Sequence, residues 1–513
     1  MKYLYGASVQ GIQGFIFATN RLREIVGASD IVEDIATDFF EKVLLRDMES
    51  SSYSEIIMAA GNIRLLFDKR EDVERLFRIA PKKVMQKAYG ITLSQAVVEV
   101  DGESVTRRDI DSLENLLKAD RNRNSIALDA SLNATYIAPR SARAASSTIK
   151  VQKDREIVDM ATKQKDSAAS VGRNRLLRSI GVESDEDLEK FPNDMSDMSN
   201  SKNKIAVIHV DGNGLGMTLQ KIGETLEKRP ELIKKVYSDF SKALDGATKE
   251  AAKRAYDESF FGKAKMKKIK FRPVVLGGDD LTVICDADRS LGFTERFLGY
   301  FEEETQKRIG SLGKKYGIDA IEEGLTACAG IAYCNEKFPF HYAVDLAEAL
   351  CGEAKKHSKK LNEKHPPSSL MFHNIQSSWY ESFADYKERE LTIRPHGSDE
   401  AIGLDFGPYF LEKKEGYATI GDFREVAGAF MGDNTPIGKL RNWLDLLEES
   451  EELAALALER IDEMAQERGF DASSLKKLDP NLSLGHLVLE HGDERKTPIY
   501  DILQIHSISG VLQ

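Results

Sequence analysis

Four consecutive residues, Gly277-Gly278-Asp279-Asp280, lie inside Arg272–Cys285 between two apolar, β-branched runs, Pro273–Leu276 and Leu281–Cys285. Such runs around a tight turn read as a β-hairpin. Two adjacent carboxylates at its tip, with no Lys or Arg beside them, repel each other. A divalent cation relieves that repulsion, and Asp oxygens are the hard ligands that Mg²⁺ prefers. Gly277 and Gly278 clear side chains from where a base or ribose would approach the backbone. Gly and Asp are also ordinary turn residues, and the tetrapeptide taken alone favours the plain turn.

A second stretch, Lys204–Gly216, shifts the balance. The apolar run Ile205–Val210 ends on Asp211 and breaks into Gly212, Gly214 and Gly216, with a helical pattern from about Leu215. A strand ending in Asp and a later hairpin tipped with Asp-Asp are the two halves of a two-metal nucleotidyl-transfer site. In a palm-type fold the two strands lie side by side. Asp211 and Asp279 are then metal ligands, with Asp280 a third ligand or an orienter of a 3′-OH. The Gly212 carbonyl can complete the shell, and the turn through Gly214 offers N–H groups to phosphate oxygens. Lys355 and Lys356 lie on a later helical stretch; from the residues alone, a solvated helix face is the better reading for both.

The elements that must position these residues follow from the chain order. Lys2–Gln10 is extended, Arg21–Leu45 is helical with an interruption at Gly27-Ala28-Ser29, and two apolar runs flank Gly61-Asn62. Glu71–Ala88 is helical with a break at Pro81, and Ile91–Val100 is strand-like. The order βαββαβ is that of a ferredoxin-like unit. From Ile205 the same order recurs, enlarged, so the chain reads as an internal duplication. By eye, Val9-Gln10-Gly11 aligns with Val210-Asp211-Gly212, and Ala60–Ile63 with Gly277–Asp280. The first copy then carries the amides Gln10 and Asn62 where the second has carboxylates, which makes it a metal-free palm. The expected class is α+β. Its units are a first palm-like domain over 1–120, a mainly helical linker over 121–203, a second palm over 204–375 and a helical domain over 376–513. Within the linker, Thr148–Ser179 reads as helical and Glu183–Asn203 as an exposed loop. In the tail, Thr435-Pro436 reads as a helix start.

Composition sets bounds. The 513 residues are 41% hydrophobic and 30% charged, with a net charge of −12, which disfavours a surface built throughout for nucleic acid. No run approaches a membrane span, the N-terminus lacks a signal-peptide layout, and the cytoplasm is the default. The four cysteines show no CxxC spacing, so neither a zinc ribbon nor a disulfide framework is expected. The basic run Lys263–Lys270, and Arg121, Arg123, Arg140 and Arg143, are candidates for RNA phosphates, with strand-edge protection and a solvated linker as the plainer readings. Gly212-x-Gly214-x-Gly216 is not a dinucleotide-binding fingerprint.

Five motifs carry a resemblance: Ser8–Phe17, Leu22–Ser29, Val210–Gly214, Gly277–Asp280 and Ala347-Glu348…Ala354-Lys355. Together they make residues 1–375 resemble the large palm-bearing subunit of type III CRISPR effector complexes, the family that makes cyclic oligoadenylates from ATP. The chain is more distantly similar to GGDEF-type diguanylate cyclases and class III nucleotidyl cyclases. The resemblance implies one ATP over Asp211 and Asp279 with Mg²⁺ or Mn²⁺. It implies a second ATP in the first palm near Asn62 and Ser29, and Lys355 as a triphosphate contact. It also implies partner subunits with guide and target RNA; self-association is left open. The chain opens on the first palm, so the family's HD nuclease is expected to be absent. Arg140–Ala145 stands about where the family's zinc ribbon would be. Two other functions fit the same residues: a stand-alone palm enzyme making a cyclic dinucleotide, and a silent scaffold that binds RNA or partners without turnover.

Overall fold

In the computed structural model, which describes residues 1–46, 52–59, 61–102, 104–123, 136–151, 154–170, 174–260, 268–376, 382–396, 400–491 and 494–509, strand β1 (Lys2–Gln10) is buried along most of its length. It is joined by β2 (Tyr53–Ala59), β3 (Asn62–Phe67) and β4 (Thr92–Val100) in an antiparallel sheet of order β2-β3-β1-β4. Helices α1 (Ile12–Ile16) and α2 (Leu22–Asp34), the latter continuing as a π-type helix over Ile35–Leu44, lead from β1 to β2. Helix α3 (Arg70–Lys87) leads from β3 to β4, which completes the ferredoxin-like order. Helix α4 (Arg107–Arg121) starts from a reciprocal Thr106–Asp109 capping box and packs on β1 and β4.

A hairpin, β5 (Ser147–Val151) and β6 (Asp154–Val158), and helices α5 (Met160–Ser170), α6 (Arg175–Ser179) and α7 (Asp185–Leu188) lead to the second sheet. There β7 (Lys204–Gly212), β8 (Phe271–Gly277), β9 (Asp280–Asp286) and β10 (Ala327–Asn335) take the order β10-β7-β9-β8, the arrangement of the first sheet. Helices α8 (Leu215–Thr225) and α9 (Pro230–Ser259) connect β7 to β8; α10 (Ser290–Thr305) and α11 (Ser311–Tyr316) lie between β9 and β10. Helix α12 (Phe340–Leu361) covers β7 and β10 and returns into β11 (Ser369–Asn374), parallel to β10. Beneath β8, the ring of Phe271 packs tilted against Tyr256 and Phe260 and edge to face against Phe293, joining α9 and α10 to the sheet.

The remaining chain adds α13 (Phe383–Glu390), β12 (Thr392–Ile393), β13 (Ile402–Gly403) and β14 (Tyr409–Phe410). It continues with α14 (Ile420–Ala429), α15 (Ile437–Glu449), α16 (Glu451–Glu467), β15 (Leu489–His491), β16 (Glu494–Lys496) and α17 (Ile499–Ile508). Strand β14 extends the second palm's sheet through β11, so the tail is stitched into the palm. Leu440, Trp443, Leu447, Leu458 and Ile461 are buried as their helical spacing predicts, whereas Leu453 and Leu456 face solvent.

Several local readings change. Helix α3 runs through Pro81 without a break. Proline lacks the N–H that would bond the carbonyl four residues earlier, and the Gln95 amide donates to that carbonyl, Phe77 O, at 2.7 Å. Helix α2 is likewise continuous, without the interruption expected at Gly27-Ala28-Ser29. Gly27 answers a packing demand instead, since a Cβ there would meet Lys165 O at 1.9 Å where α5 crosses. Ser147–Val151 and Asp154–Val158 pair as antiparallel strands rather than helix, their β-branched Thr148, Ile149, Val151, Ile157 and Val158 favouring strand. The stretch 183–203 is not an exposed loop: Met195, Met198 and Asn200 are buried, and Asn200 Nδ2 donates to Asp288 and to Ile508 O. Helix α15 starts one residue later than Pro436, which takes the cap position. The tail carries the four-stranded sheet β12-β13-β16-β15, whose strands are too short to leave a period in sequence.

Candidate metal and nucleotide site

The second palm brings its three acids together. Asp211 ends β7, Asp280 opens β9, and their neighbours Val210 and Leu281 are ladder partners. Asp279 occupies the turn between β8 and β9, whose closing pair is Gly277 and Asp280. One carboxylate oxygen from each of Asp211, Asp279 and Asp280 lies within 4.8 Å of the others. Gly278 turns the hairpin at a φ of 61°, which favours glycine. The tip is pinned from behind, where buried Thr248 on α9 donates to Gly278 O at 2.6 Å. Gly212 is required for a different reason: a Cβ there would stand 2.7 Å from Asp279 Cβ.

The loop after β7 is held by Asn213, whose N–H donates to Thr326 O (2.8 Å) and whose amide donates to Thr326 Oγ1 (3.0 Å) and Pro366 O (3.3 Å). Gly214, at φ 69°, then starts α8. Burial and the neighbouring acids hold the Asp279 and Asp280 carboxyls above the usual carboxylate range. His209, on the same face of β7 as Asp211, is pushed down to about 4 by burial and contacts Thr282 Oγ1 at 3.2 Å.

Lys355 reaches this cluster from α12. Its Nζ donates to the Asp211 carboxylate and, at 2.8 Å, to Gly212 O. The approach depends on Gly330 of β10, where a Cβ would meet Ala347 O at 1.9 Å. Lys356, by contrast, is exposed and paired with Glu353. Glu348, two turns before Lys355, accepts from Gln13 Nε2 of the first palm at 2.5 Å, and burial pushes its carboxyl up to about 7. Thr248 is not legible as a site residue in sequence, because it gains its place only through the hairpin it packs on; Glu348 stood within the Ala347-Glu348 motif, but its contact with Gln13 was not visible there. Asn213 was visible within Val210–Gly214, but its anchoring role was not.

The first palm faces the second through a pseudo-twofold arrangement in which α2 lies on β8 and α9 on β2. Ser29 belongs to this contact: its hydroxyl donates to Val274 O at 2.5 Å. Two cavities follow from the same symmetry. One, of about 330 Å³, is lined by Gly11, Ser29 and Gly61 of the first palm and by His209, Gly277 and Asp280 of the second. The other, of about 660 Å³, lies between Leu215, Leu219 and Tyr237 with Gly278 and Asp279 on one side, and Asn62, Arg64 and Arg107 on the other. The acidic cluster thus borders both.

Strand register and helix starts give the two palms a different correspondence from the one read in the sequence. Gly11 at φ 75° starts α1 as Gly214 at φ 69° starts α8, and Asn62 follows its hairpin turn as Asp280 does. Ser8, not Gln10, is therefore the counterpart of Asp211, and Gly61 that of Asp279. Ser8 Oγ donates to Asn62 Oδ1 at 3.2 Å, a neutral hydrogen bond where the second palm has two acids. Ala60 lies outside the described residues.

Other predicted contacts are engaged structurally. Arg140 bonds Glu24 and Glu156, and Arg123 pairs with Asp120. Lys268 pairs with Asp197 and Lys270 donates to Ser199 O; residues 263–267 of that basic run are outside the described residues. No helix among the described residues is long and apolar enough to cross a membrane.

Comparison with known proteins gives a consistent result. Residues 204–363 match the family model of the Cas10/Cmr2 second palm domain. No curated protein sequence matches the chain. Among solved structures, it is similar to a Csm1-Csm4 cassette in complex with cA3 (TM-score 0.54, 12% identity, 99% of this chain and 70% of that chain). The apo cassette (TM-score 0.54, 13% identity) and the cassette with one ATP (TM-score 0.53, 12% identity) align over the same shares of the two chains. In another match, to the AMPPNP complex, the chain spans 53% of the related chain. Residues 204–363 thus resemble a Cas10/Cmr2 second palm domain, and the chain as a whole has the fold of a Cas10-like palm subunit.

Proposed function

We propose that the protein is a divalent-metal-dependent nucleotidyltransferase that converts ATP into cyclic oligoadenylates, as a subunit of a type III CRISPR-type defence complex. The observation that carries this reading is the meeting of Asp211, Asp279 and Asp280 at the border of two facing cavities, within a Cas10/Cmr2 second palm. The donor set fits Mg²⁺ or Mn²⁺: three carboxylates and the Gly212 carbonyl are all hard oxygens, and their mutual repulsion calls for a cation. Bound there, such ions supply activation of a hydroxyl nucleophile and charge compensation for a triphosphate. The solved relatives, described as complexes with ATP, cA3 and cA4, support adenine nucleotides as substrate and product.

The chain's own residues then divide the work. Gly214 and the first turn of α8 present backbone N–H groups to phosphate oxygens. Lys355 adds a positive charge on the same side. Gly277 and Gly278 leave the hairpin's backbone open to a ribose or base. Asn62 and Ser29 place the first palm's elements against the two cavities, one nucleotide in each. Arg64, paired with Glu114, and Arg107, paired with Asp111, line the larger cavity. Enclosure between the palms orients the two nucleotides, which is the larger part of what such a site contributes. A Csm4-like subunit is the partner the related cassettes support; guide RNA and target RNA are those the family resemblance implies.

The test is a mass-spectrometric product assay with ATP and Mg²⁺ or Mn²⁺, on the chain alone and with partner subunits and target RNA. The Asp279→Ala/Asp280→Ala variant serves as control. Cyclic oligoadenylate from the native protein only is the expected result. A cyclic dinucleotide from the chain alone would select a stand-alone synthase. No product under any of these conditions would leave a binding scaffold.

A further inference from the structure

We propose that Lys355 is an internal counter-ion that competes with the metal. It holds oxygens of the ligand set in the nucleotide-free protein and releases them when a triphosphate arrives. The inference rests on reading Asp211, Asp279 and Asp280 as the metal site. Its basis is that Lys355 Nζ bonds two of the proposed ligands at once, the Asp211 carboxylate and Gly212 O. An ammonium offers three donors, no acceptor and a full positive charge, so it satisfies these oxygens while repelling a cation that would share them.

The placement is built rather than incidental. Helix α12 is locked on β10 by the close approach at Gly330, and the Cys351 thiol donates to Cys328 O at 3.1 Å. The Lys355 side chain is only 18% exposed, so its pairing is less screened than a surface ion pair. The adjacent Lys356, equally free to seek acids, turns outward to Glu353 at 68% exposure. A triphosphate carries more negative charge than Asp211 and offers better acceptors, so the ammonium gains by moving to it. That movement returns Asp211 and Gly212 O to the ions that accompany the nucleotide. Metal alone then binds poorly, while metal and nucleotide favour each other, the reciprocity that linkage requires.

The experiment is Mn²⁺ binding to the full chain, read as loss of the free-ion electron paramagnetic resonance signal. It is done first with Mn²⁺ alone and then with a non-hydrolysable ATP analogue. Lys355→Met is expected to bind Mn²⁺ alone about tenfold more tightly than native, the scale of removing one close charge–charge opposition. It should bind the analogue more weakly, while Lys355→Arg stays near native for Mn²⁺ alone. Lys355→Gln replaces the Met variant if thermal unfolding shows the latter misfolded. Unchanged or weaker Mn²⁺ binding in the neutral variant overturns the proposal. So does an equal gain in the Arg variant, which would point to packing rather than charge. The underlying metal-site reading fails separately, if Asp279→Ala/Asp280→Ala binds Mn²⁺ as well as native.

Discussion

The two palms share strand order, hairpin and helix start, yet among the described residues only the second gathers acids. Where it has Asp211, Asp279 and Asp280, the first has Ser8, Gly61 and Asn62 in the matching strand register, although the left-handed glycine of the turn is Gly61 in the first and Gly278 in the second. The turn therefore forms without carboxylates, and three acids at one tip are a burden that folding does not ask for. The first palm satisfies its tip internally, through the Ser8–Asn62 hydrogen bond. The second leaves a surplus of negative charge that Lys355 only partly offsets.

The largest effect should come from erasing the difference. In Asp279→Ala/Asp280→Ala, product formation is expected to fall by at least about a thousandfold, since the ions that stabilise charge in the transition state are lost. Thermal unfolding should stay level or rise, because both carboxyls are held above their usual range by burial and repulsion. A large loss of stability would mean that the acids serve the fold. A smaller change tests geometry at constant charge. Gly212→Ala pushes a Cβ to 2.7 Å from Asp279 Cβ and should cost about a hundredfold in product rate through misplacement alone. Activity near native would show that the tip relaxes freely.

The converse substitution adds an acid to the first palm. Ser8 is 6% exposed, and Ser8→Asp should destabilise the protein by about 1–3 kcal/mol in denaturant unfolding, the cost of burying a poorly paired polar group. It should add no Mn²⁺ site, because Gly61 and Asn62 supply no carboxylate. A further effect concerns the lysine that the first palm buries. Lys165 donates to Phe15 O, and burial lowers it from 10.5 to about 8. The unfolded chain binds that proton more tightly than the folded one. Stability should therefore rise with pH from about 8 to 10.5, relative to Lys165→Met. Parallel pH profiles of the two proteins would show that this lysine titrates normally.

Much of the site was legible because its parts are local. A strand that ends in Asp, a Gly-rich entry to a helix and a hairpin tipped with acids each leave a mark within a dozen residues. The duplication was legible too, as a repeated element order, but its register was not. Matching Gln10 to Asp211 followed residue likeness, whereas the left-handed glycines Gly11 and Gly214 fix the correspondence at Ser8. The break expected at Pro81 failed because its remedy, Gln95, comes from another strand. Between Lys355 and Lys356 the sequence offered no choice by itself; the close approach of α12 to Gly330 decides it.

The sequence by itself determined the α+β class, the repeated strand and helix order, and which acids can meet, because hydrophobic period and turn chemistry act between near neighbours. Only the tertiary structure decided that the palms face each other through α2 on β8 and α9 on β2. It alone set the cavities on both sides of the acids, and Lys355 on two of the oxygens. Those outcomes depend on how two packed surfaces fit, and no residue carries that information alone.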